Sequence, residues 1–196
     1  MKKLIVMSLI LLMQSGIFIQ AQEENTIDIF QKGQDGYACF RIPAIVKSKN
    51  GTLLAFAEAR KNSCSDTGNI DLVLKRSEDG GKTWSSTITI WDDGDNVCGN
   101  PAPVVDQETG RILLVSCWNL GEDHEKEIID KTSKDSRRIY VLYSDNDGKS
   151  WSTPKDITSS VKRSDWTWYA TGPCHGIQLQ NKKHKGRLVV SANHMV

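Results

Sequence analysis

The sequence predicts an all-β protein. Three observations lead to this prediction: short apolar segments of strand length, clusters of turn-forming residues between them, and an eight-residue motif that occurs twice. Apolar residues make up 38% and charged residues 25% of the 196 residues. That balance is typical of a globular protein rather than a disordered one.

The individual strands are recognised by alternation or by short apolar runs. In residues 70–75 every second side chain is isoleucine or leucine, and in residues 87–90 threonine alternates with isoleucine. The same criteria predict three more strands, at residues 111–117, 138–143 and 187–191. Clusters rich in glycine, aspartate and asparagine separate the strands, as at residues 49–51, 78–81 and 147–148. The charged segment 121–136 has room for a helical turn.

The first 21 residues are typical of a signal peptide. Lys2 and Lys3 precede an apolar run over residues 4–12, and Ala21 is a suitable cleavage point. A membrane anchor is the alternative, but the strong apolar run is about ten residues and a spanning helix needs roughly 20. We therefore expect an exported protein, periplasmic, at the cell surface or extracellular, without a stable membrane span.

Charge and cysteine spacing exclude several kinds of partner. The formal net charge is +1 and no basic face stands out, so we expect no nucleic-acid partner. No CxxC spacing occurs among the cysteines, so the sequence predicts neither a metal site nor a cofactor. An exported protein can pair some of its five cysteines, and the odd number leaves at least one free. The sequence does not choose among the pairings, and burial as small apolar residues is the alternative. The five are Cys39, Cys64, Cys98, Cys117 and Cys174.

An internal repeat is the most specific local feature. Residues 77–84 recur as residues 144–151, and both copies lead into serine and a further strand. Aspartate or asparagine bonds its own backbone in such a turn, glycine takes the positive φ, and tryptophan packs under the hairpin. We therefore predict a structural role for the shared positions: Ser77, Asp79, Gly81 and Trp84 in the first copy, and Ser144, Asn146, Gly148 and Trp151 in the second.

These repeats resemble the Asp-box, Ser-x-Asp-x-Gly-x-x-Trp, which lies between the third and fourth strands of sialidase propeller blades. The first copy matches in full, and the second has Asn146 where the pattern has aspartate. Asp-boxes also occur in propellers that only bind ligands. A non-catalytic β-propeller that binds glycans or proteins is therefore the alternative to an enzyme.

A second motif favours the enzyme. Residues 40–44, Phe-Arg-Ile-Pro-Ala, resemble the Phe/Tyr-Arg-Ile-Pro signature at the start of the sialidase domain. The resemblance implies that Arg41 is one of three arginines that bind the sialic acid carboxylate. A planar guanidinium holds a carboxylate through two charge-assisted hydrogen bonds, which lysine does not reproduce.

The same resemblance implies a catalytic acid/base. The family places this aspartate on a loop about 25 residues after the first arginine, and Asp66 fits that position. Its implied role is to protonate the leaving glycosidic oxygen and later to deprotonate water, so we expect partial burial to raise its pKa. Asp71 is the competing candidate, but its place in an alternating strand favours a structural role.

Further pocket residues follow from matching segments. Glu58 and Arg60 match family positions in the same pocket, with Arg60 as a substrate contact, and an ion pair at a strand edge is the alternative. Asn100 opens a segment that resembles one whose asparagine faces the sugar. Trp168 and Tyr169 either flank the pocket or pack in the core.

The resemblance covers nearly all of residues 36–196, after a lead-in at residues 22–35, and implies a six-bladed β-propeller of the sialidase type. The family domain is about twice as long, so we expect about three blades, or half of the propeller, here. The other two arginines, the tyrosine nucleophile and its glutamate partner would lie beyond residue 196. We expect the intact protein to be a monomeric, retaining exo-α-sialidase of the bacterial type that acts on sialylated glycans. We expect these 196 residues alone to be inactive.

Overall fold

Two antiparallel meanders of four strands each make up most of the structure, a computed structural model that describes residues 26–172 and 174–196. The first meander consists of β1 (Cys39–Lys47), β2 (Leu53–Arg60), β3 (Ile70–Ser77) and β4 (Ile88–Trp91). The second consists of β5 (Val97–Val105), β6 (Ile112–Asn119), β7 (Arg138–Ser144) and β8 (Lys155–Asp156). One parallel bridge, between Ile70 and Val97, joins the two.

Shorter elements complete the described residues. Helix α1 (Glu125–Ile129) lies in the loop between β6 and β7, and helix α2 (Thr158–Val161) follows β8. Four short strands come last: β9 (Tyr169–Thr171), β10 (Ile177–Gln178), β11 (Leu188–Val189) and β12 (Ala192–His194). β9 pairs with β12 and β10 with β11, both antiparallel. Among the described residues no helix is both long and apolar enough to cross a membrane.

The mostly-β prediction is confirmed. The segments predicted at residues 70–75, 87–90, 111–117 and 138–143 correspond to β3, β4, β6 and β7. The run at residues 187–191 forms only the two-residue strand β11. The described residues form no closed sheet, and the count of six blades stays a prediction. The signal peptide predicted for residues 1–21 lies outside the described residues, as do the first residues of the lead-in.

The main core lies between the two meanders. Phe56 and Leu74 of the first meander and Leu114 and Leu142 of the second are fully buried in one apolar cluster. Trp151 of the second repeat packs edge-on against Phe56, with 5.7 Å between the ring centroids. Burial of large apolar side chains from the two meanders against each other is the main stabilising contribution of such an arrangement. The same packing holds β1 and β5, the first strands of the two meanders, next to each other.

Both copies of the repeat lie between the third and fourth strands of a meander. In the first, Asp79 Oδ1 accepts hydrogen bonds from Ser77 Oγ (2.8 Å) and from the backbone N–H of Thr83 (3.0 Å). Asn146 Oδ1 accepts the equivalent bonds in the second, from Ser144 Oγ and the N–H of Ser150, both at 3.0 Å. The amide thus replaces the carboxylate without loss of the turn.

The two repeats differ in how closely their glycines are packed. Gly148 has a φ of +76°, and a Cβ there would lie 2.5 Å from Leu54 Cδ2. At Gly81 the nearest atom would be 3.5 Å away. The second repeat therefore packs directly on the core between the meanders. Position 148 requires glycine for two reasons: a side chain would collide with Leu54, and the backbone has a positive φ.

Equivalent bulges interrupt the first strand of each meander. The register with the neighbouring strand shifts between Arg41 and Ala44 in β1 and between Gly99 and Ala102 in β5. In each bulge the residue before a proline has a positive φ, +52° at Ile42 and +53° at Asn100. Positive φ is rare for a β-branched residue such as isoleucine, and such bulges change the direction of neighbouring side chains. Both bulges border the site described next.

Candidate functional site

An arginine and an aspartate from different elements meet at the surface of the first meander. Arg41 Nη1 lies 2.8 Å from Asp66 Oδ1, across 25 residues of sequence. Arg41 belongs to β1, and Asp66 to the loop between β2 and β3. Their side chains are 44% and 72% exposed, so a ligand can reach both.

A buried arginine holds the loop that carries this aspartate. Arg60 Nη2 contacts Glu58 Oε2 at 2.6 Å and Asp66 Oδ1 at 2.7 Å. Its Nη1 donates to the backbone carbonyls of Cys64 (2.7 Å) and Ser65 (2.8 Å). The Arg60 side chain is only 3% exposed. Its guanidinium therefore organises the loop from below and adds positive charge beneath Asp66.

A disulfide bond fastens the same loop to β1. Cys39 and Cys64 are bonded, and they lie two residues before Arg41 and Asp66 respectively. The other three cysteines are free, Cys98 and Cys117 buried and Cys174 exposed. Sequence spacing left the pairing open, because it depends on how β1 and the loop fold together.

The expectation that Asp66 has a raised pKa is wrong for the protein without a ligand. Partial burial acts to raise the pKa, but hydrogen bonds and charges from Arg60 and Arg41 outweigh it and lower the pKa from its ordinary value. Two guanidinium groups on one carboxylate oxygen stabilise the charged form. Asp66 is therefore an acceptor for both arginines before a substrate arrives.

Glu58 links the two meanders beneath the site. Its Oε2 accepts the bond from Arg60, and its Oε1 accepts the backbone N–H of Asn100 at 2.8 Å. Glu58 is buried, and a Cβ at residue 99 would lie 2.6 Å from its Oε1, which explains Gly99. The pocket positions expected at Glu58, Arg60 and Asn100 are thus brought into one connected group, with Glu58 and Arg60 as its buried part.

The competing aspartate lies apart from this group. Asp71 is buried on β3 and accepts a 2.7 Å hydrogen bond from the hydroxyl of Tyr37. Burial raises the pKa of Asp71, while Tyr37 acts in the opposite direction. The Nζ atom of Lys61 lies 4.0 Å from Asp71 Oδ2. A buried carboxyl engaged in this way fits the structural role that its alternating strand predicted.

One residue at the edge of the site was not predicted from the sequence. Arg137 is buried and bonds the side-chain oxygens of Asn100 and Asn119 and the backbone carbonyl of Tyr169. Its guanidinium stacks on Trp168, 4.1 Å from the ring centroid. Nothing in the local pattern of residues 134–138 distinguishes this arginine from surface lysines and arginines, so only the fold identifies it.

No metal centre was found among the described residues. Within residues 26–172 and 174–196, no three histidine, cysteine, aspartate or glutamate side chains are grouped as metal ligands would be. What the arrangement offers is one accessible guanidinium, one accessible carboxylate and a buried group that positions them. Such a pair can bind an anion and transfer a proton at the same place.

Comparisons with known proteins agree on one family. The model of the BNR repeat-like domain matches residues 51–196. An exo-alpha-sialidase of Aspergillus fumigatus is 34% identical over 174 residues, covering 80% of this chain and 42% of the relative. A sialidase of Bacteroides fragilis is 31% identical over 168 residues, covering 79% of this chain and 31% of the relative.

A solved structure gives the same result. The Hadza microbial sialidase Hz136 superposes with a TM-score of 0.73 at 29% identity, covering 84% of this chain and 34% of that one. The chain therefore spans about two fifths or less of the length of these three proteins. The family match at residues 51–196 includes Asp66, Glu58, Arg60 and Asn100, and it begins after β1, which carries Arg41.

Proposed function

This chain belongs to the sialidase family, and from that premise we propose that the intact protein is a retaining exo-α-sialidase that removes terminal α-linked sialic acids from glycoproteins, glycolipids or oligosaccharides. The observation that carries the proposal is the contact between Arg41 and Asp66 at the surface. Because this chain spans only part of its relatives' length, the activity is proposed for the whole protein and not for these residues alone.

In this proposal Arg41 binds the carboxylate of the sugar. Its side chain is accessible, and its guanidinium supplies the paired donors that a carboxylate accepts. Arg60 is committed to Glu58 and the Asp66 loop, so it acts on the substrate through Asp66 and not by direct contact. Asn100 lies at the opposite side of Glu58, where it would contact another part of the sugar.

Asp66 is the proposed acid/base, and in this proposal the bound substrate raises its pKa. A bound carboxylate would take hydrogen bonds of Arg41 away from Asp66 and bring a second negative charge nearby. Both effects raise the pKa of Asp66 relative to the protein without a ligand. The carboxyl would then carry a proton for the leaving oxygen mainly when the sugar is bound, and it would take a proton from water in the second step.

The first experiment measures turnover by the intact protein. We expect it to release sialic acid from sialyllactose and from a fluorogenic sialoside. Arg41→Lys should lower kcat/KM about tenfold or more, chiefly through KM, because an ammonium does not hold a carboxylate through two parallel bonds. Arg111→Lys is the matched control, since Arg111 is also exposed and bonds an aspartate, Asp145, through two nitrogens.

Two results would count against the proposal. Absence of turnover by a folded intact protein would remove the enzymatic assignment and favour the non-catalytic propeller, which glycan-binding measurements would then test. Equal losses for Arg41→Lys and Arg111→Lys would show that Arg41 has no special role.

A further inference from the structure

Arg137 is a buried cation without an acidic partner in the described part of the chain. Its Nη1 donates to Asn119 Oδ1, its Nη2 to Asn100 Oδ1, and its Nε to the carbonyl of Tyr169 at 3.0 Å. It forms no ion pair with a described aspartate or glutamate, although its residue is only 3% exposed. Buried arginines are ordinarily paired with carboxylates, so neutral oxygens alone are an unusual set of partners.

These contacts determine the orientation of two side-chain amides. A guanidinium has only hydrogen-bond donors, so each amide must turn its oxygen toward Arg137 and its NH₂ group away. The NH₂ group of Asn119 donates to the carbonyls of Leu120 (2.8 Å) and Asp123 (3.3 Å). The NH₂ group of Asn100 has no partner among the described residues, and the Asn100 side chain is partly exposed. Asn100 is thus left with an oriented, unused donor.

This donor lies in the connected group that carries Asp66. The backbone N–H of Asn100 bonds Glu58, Glu58 bonds Arg60, and Arg60 bonds Asp66. We propose that Arg137 is a positioning residue that holds the Asn100 amide so that its NH₂ group donates to an acceptor oxygen, hydroxyl or carbonyl, of the bound sugar. This proposal rests on the proposed function of the site.

The identity of residue 100 supports the proposal. Its φ is +53°, a conformation that asparagine and aspartate both tolerate better than most residues. Aspartate would be a stronger partner for Arg137, because it would pair a buried cation with a carboxylate. Apart from the missing charge, asparagine differs from aspartate in its NH₂ group, which Arg137 does not contact. A need for that donor explains why the weaker partner for Arg137 occupies the position.

The test uses Asn100→Asp in the full-length protein. We expect the melting temperature to stay level or rise, because Arg137 gains a carboxylate. We expect kcat/KM for a sialoside to fall about tenfold or more, and binding of free sialic acid in calorimetry to weaken with it, because the donor is lost. If Asn100 had only a structural role, kcat/KM would change in the same direction as the melting temperature. The proposal predicts that kcat/KM falls while the melting temperature stays level or rises.

Two further variants separate the contact between Asn100 and Arg137 from the donor role of the Asn100 NH₂ group. Asn100→Ala should lose activity and also melt lower, because Arg137 loses an acceptor. In the background of Arg137→Met, Asn100→Asp should no longer preserve the melting temperature, which measures the contact without any turnover. Arg138→Met is the control: this neighbouring arginine is 40% exposed and paired with Asp135, and we expect its kcat/KM to stay within about twofold of wild type.

Each outcome supports or overturns either the role of Arg137 and Asn100 or the proposed function. Wild-type kcat/KM in Asn100→Asp would overturn the donor role, and a fall in its melting temperature equal to that of Asn100→Ala would overturn the Arg137 contact. If the wild type binds sialic acid but does not turn over sialosides, the proposed function fails while the binding and melting measurements still test Arg137. If the wild type neither binds nor cleaves, both proposals fail.

Discussion

Two arginines share one carboxylate oxygen at the centre of the proposed site. Arg41 and Arg60 both contact Asp66 Oδ1, and Glu58 balances the charge of Arg60 from the other side. The pairing of Arg41 with Asp66 is therefore the part that a substrate carboxylate can replace, because Arg60 is held by Glu58 and two carbonyls. In the proposed function this exchange couples binding of the substrate to the proton affinity of Asp66.

The coupling predicts different pH profiles for kcat and kcat/KM. The profile of kcat/KM reports the free enzyme, in which the pKa of Asp66 is lowered, and that of kcat reports the complex. Loss of the acid's proton as pH rises should therefore reduce kcat/KM at a lower pH than kcat. Asp66→Asn should remove this limb from both profiles and slow cleavage of sialyllactose by about 10²- to 10⁴-fold.

The leaving group supplies the control for this variant. A fluorogenic phenolic sialoside leaves readily without a proton, so Asp66→Asn should slow its cleavage much less than that of sialyllactose. Equal slowing of the two substrates would contradict the role of Asp66 as an acid. The residue would then contribute only to binding.

At the scale of elements, the disulfide joins the two segments that supply the site. Cys39 is in β1 and Cys64 in the Asp66 loop, and they precede the candidate residues Arg41 and Asp66 by two positions each. Apart from this bond, Arg60 is the main contact that holds the loop, through two carbonyls and Asp66. The bond therefore limits how far Asp66 can move from Arg41.

We expect removal of this bond to affect both stability and activity. The double variant Cys39→Ser/Cys64→Ser should lower the free energy of unfolding by about 3 kcal/mol, since the bond closes a loop across 25 residues. It should also lower kcat/KM several-fold at temperatures where the protein stays folded, because Asp66 is held less firmly. Thermal unfolding and steady-state kinetics measure the two effects.

Cys174→Ser is the control for this experiment, because Cys174 is free and exposed. It should change neither the free energy of unfolding nor kcat/KM noticeably. A double variant that unfolds earlier but keeps full activity in its folded range would limit the disulfide to stability.

For the whole molecule, the proposed function makes the two packed meanders one part of a larger site. Their apolar faces are buried against each other, while Ile45 of β1 and Ile177 of β10 stay about half exposed. Sialidase relatives are more than twice as long as the matched region. In the proposed function the group around Asp66 supplies an anion-binding arginine and an acid/base, and we assign no nucleophile to the residues described.

We therefore expect the isolated 196-residue chain to show no sialidase turnover, whereas the protein continued to the length of its relatives is active. The shorter chain should also aggregate more readily, because apolar side chains and strand edges stay open to solvent. Parallel assays on sialyllactose, with light scattering to compare aggregation, test this. Turnover by the shorter chain would show that these residues are sufficient.

Local sequence patterns were enough for β3, β4, β6 and β7 and for the two repeats, whereas β1, β2 and β5 were not predicted from them. Each Asp-box turn is closed by side chains within five residues of one another, so its signal is contained in a short segment. The prediction that Arg41 and Asp66 share a site came from a family resemblance and not from any local pattern. Their contact is found in the structure, while their roles stay predictions.

Only the tertiary structure decided how distant groups modify one another. The pairing of Cys39 with Cys64 and the lowered pKa of Asp66 depend on segments brought together within the first meander. The contacts of Arg137 depend on the way the second meander and β9 fold together. A pKa depends on the balance between burial and neighbouring charges, and that balance is set by distances across the fold. The sequence by itself determined which groups are present and which turns form, and the fold determined which charges meet.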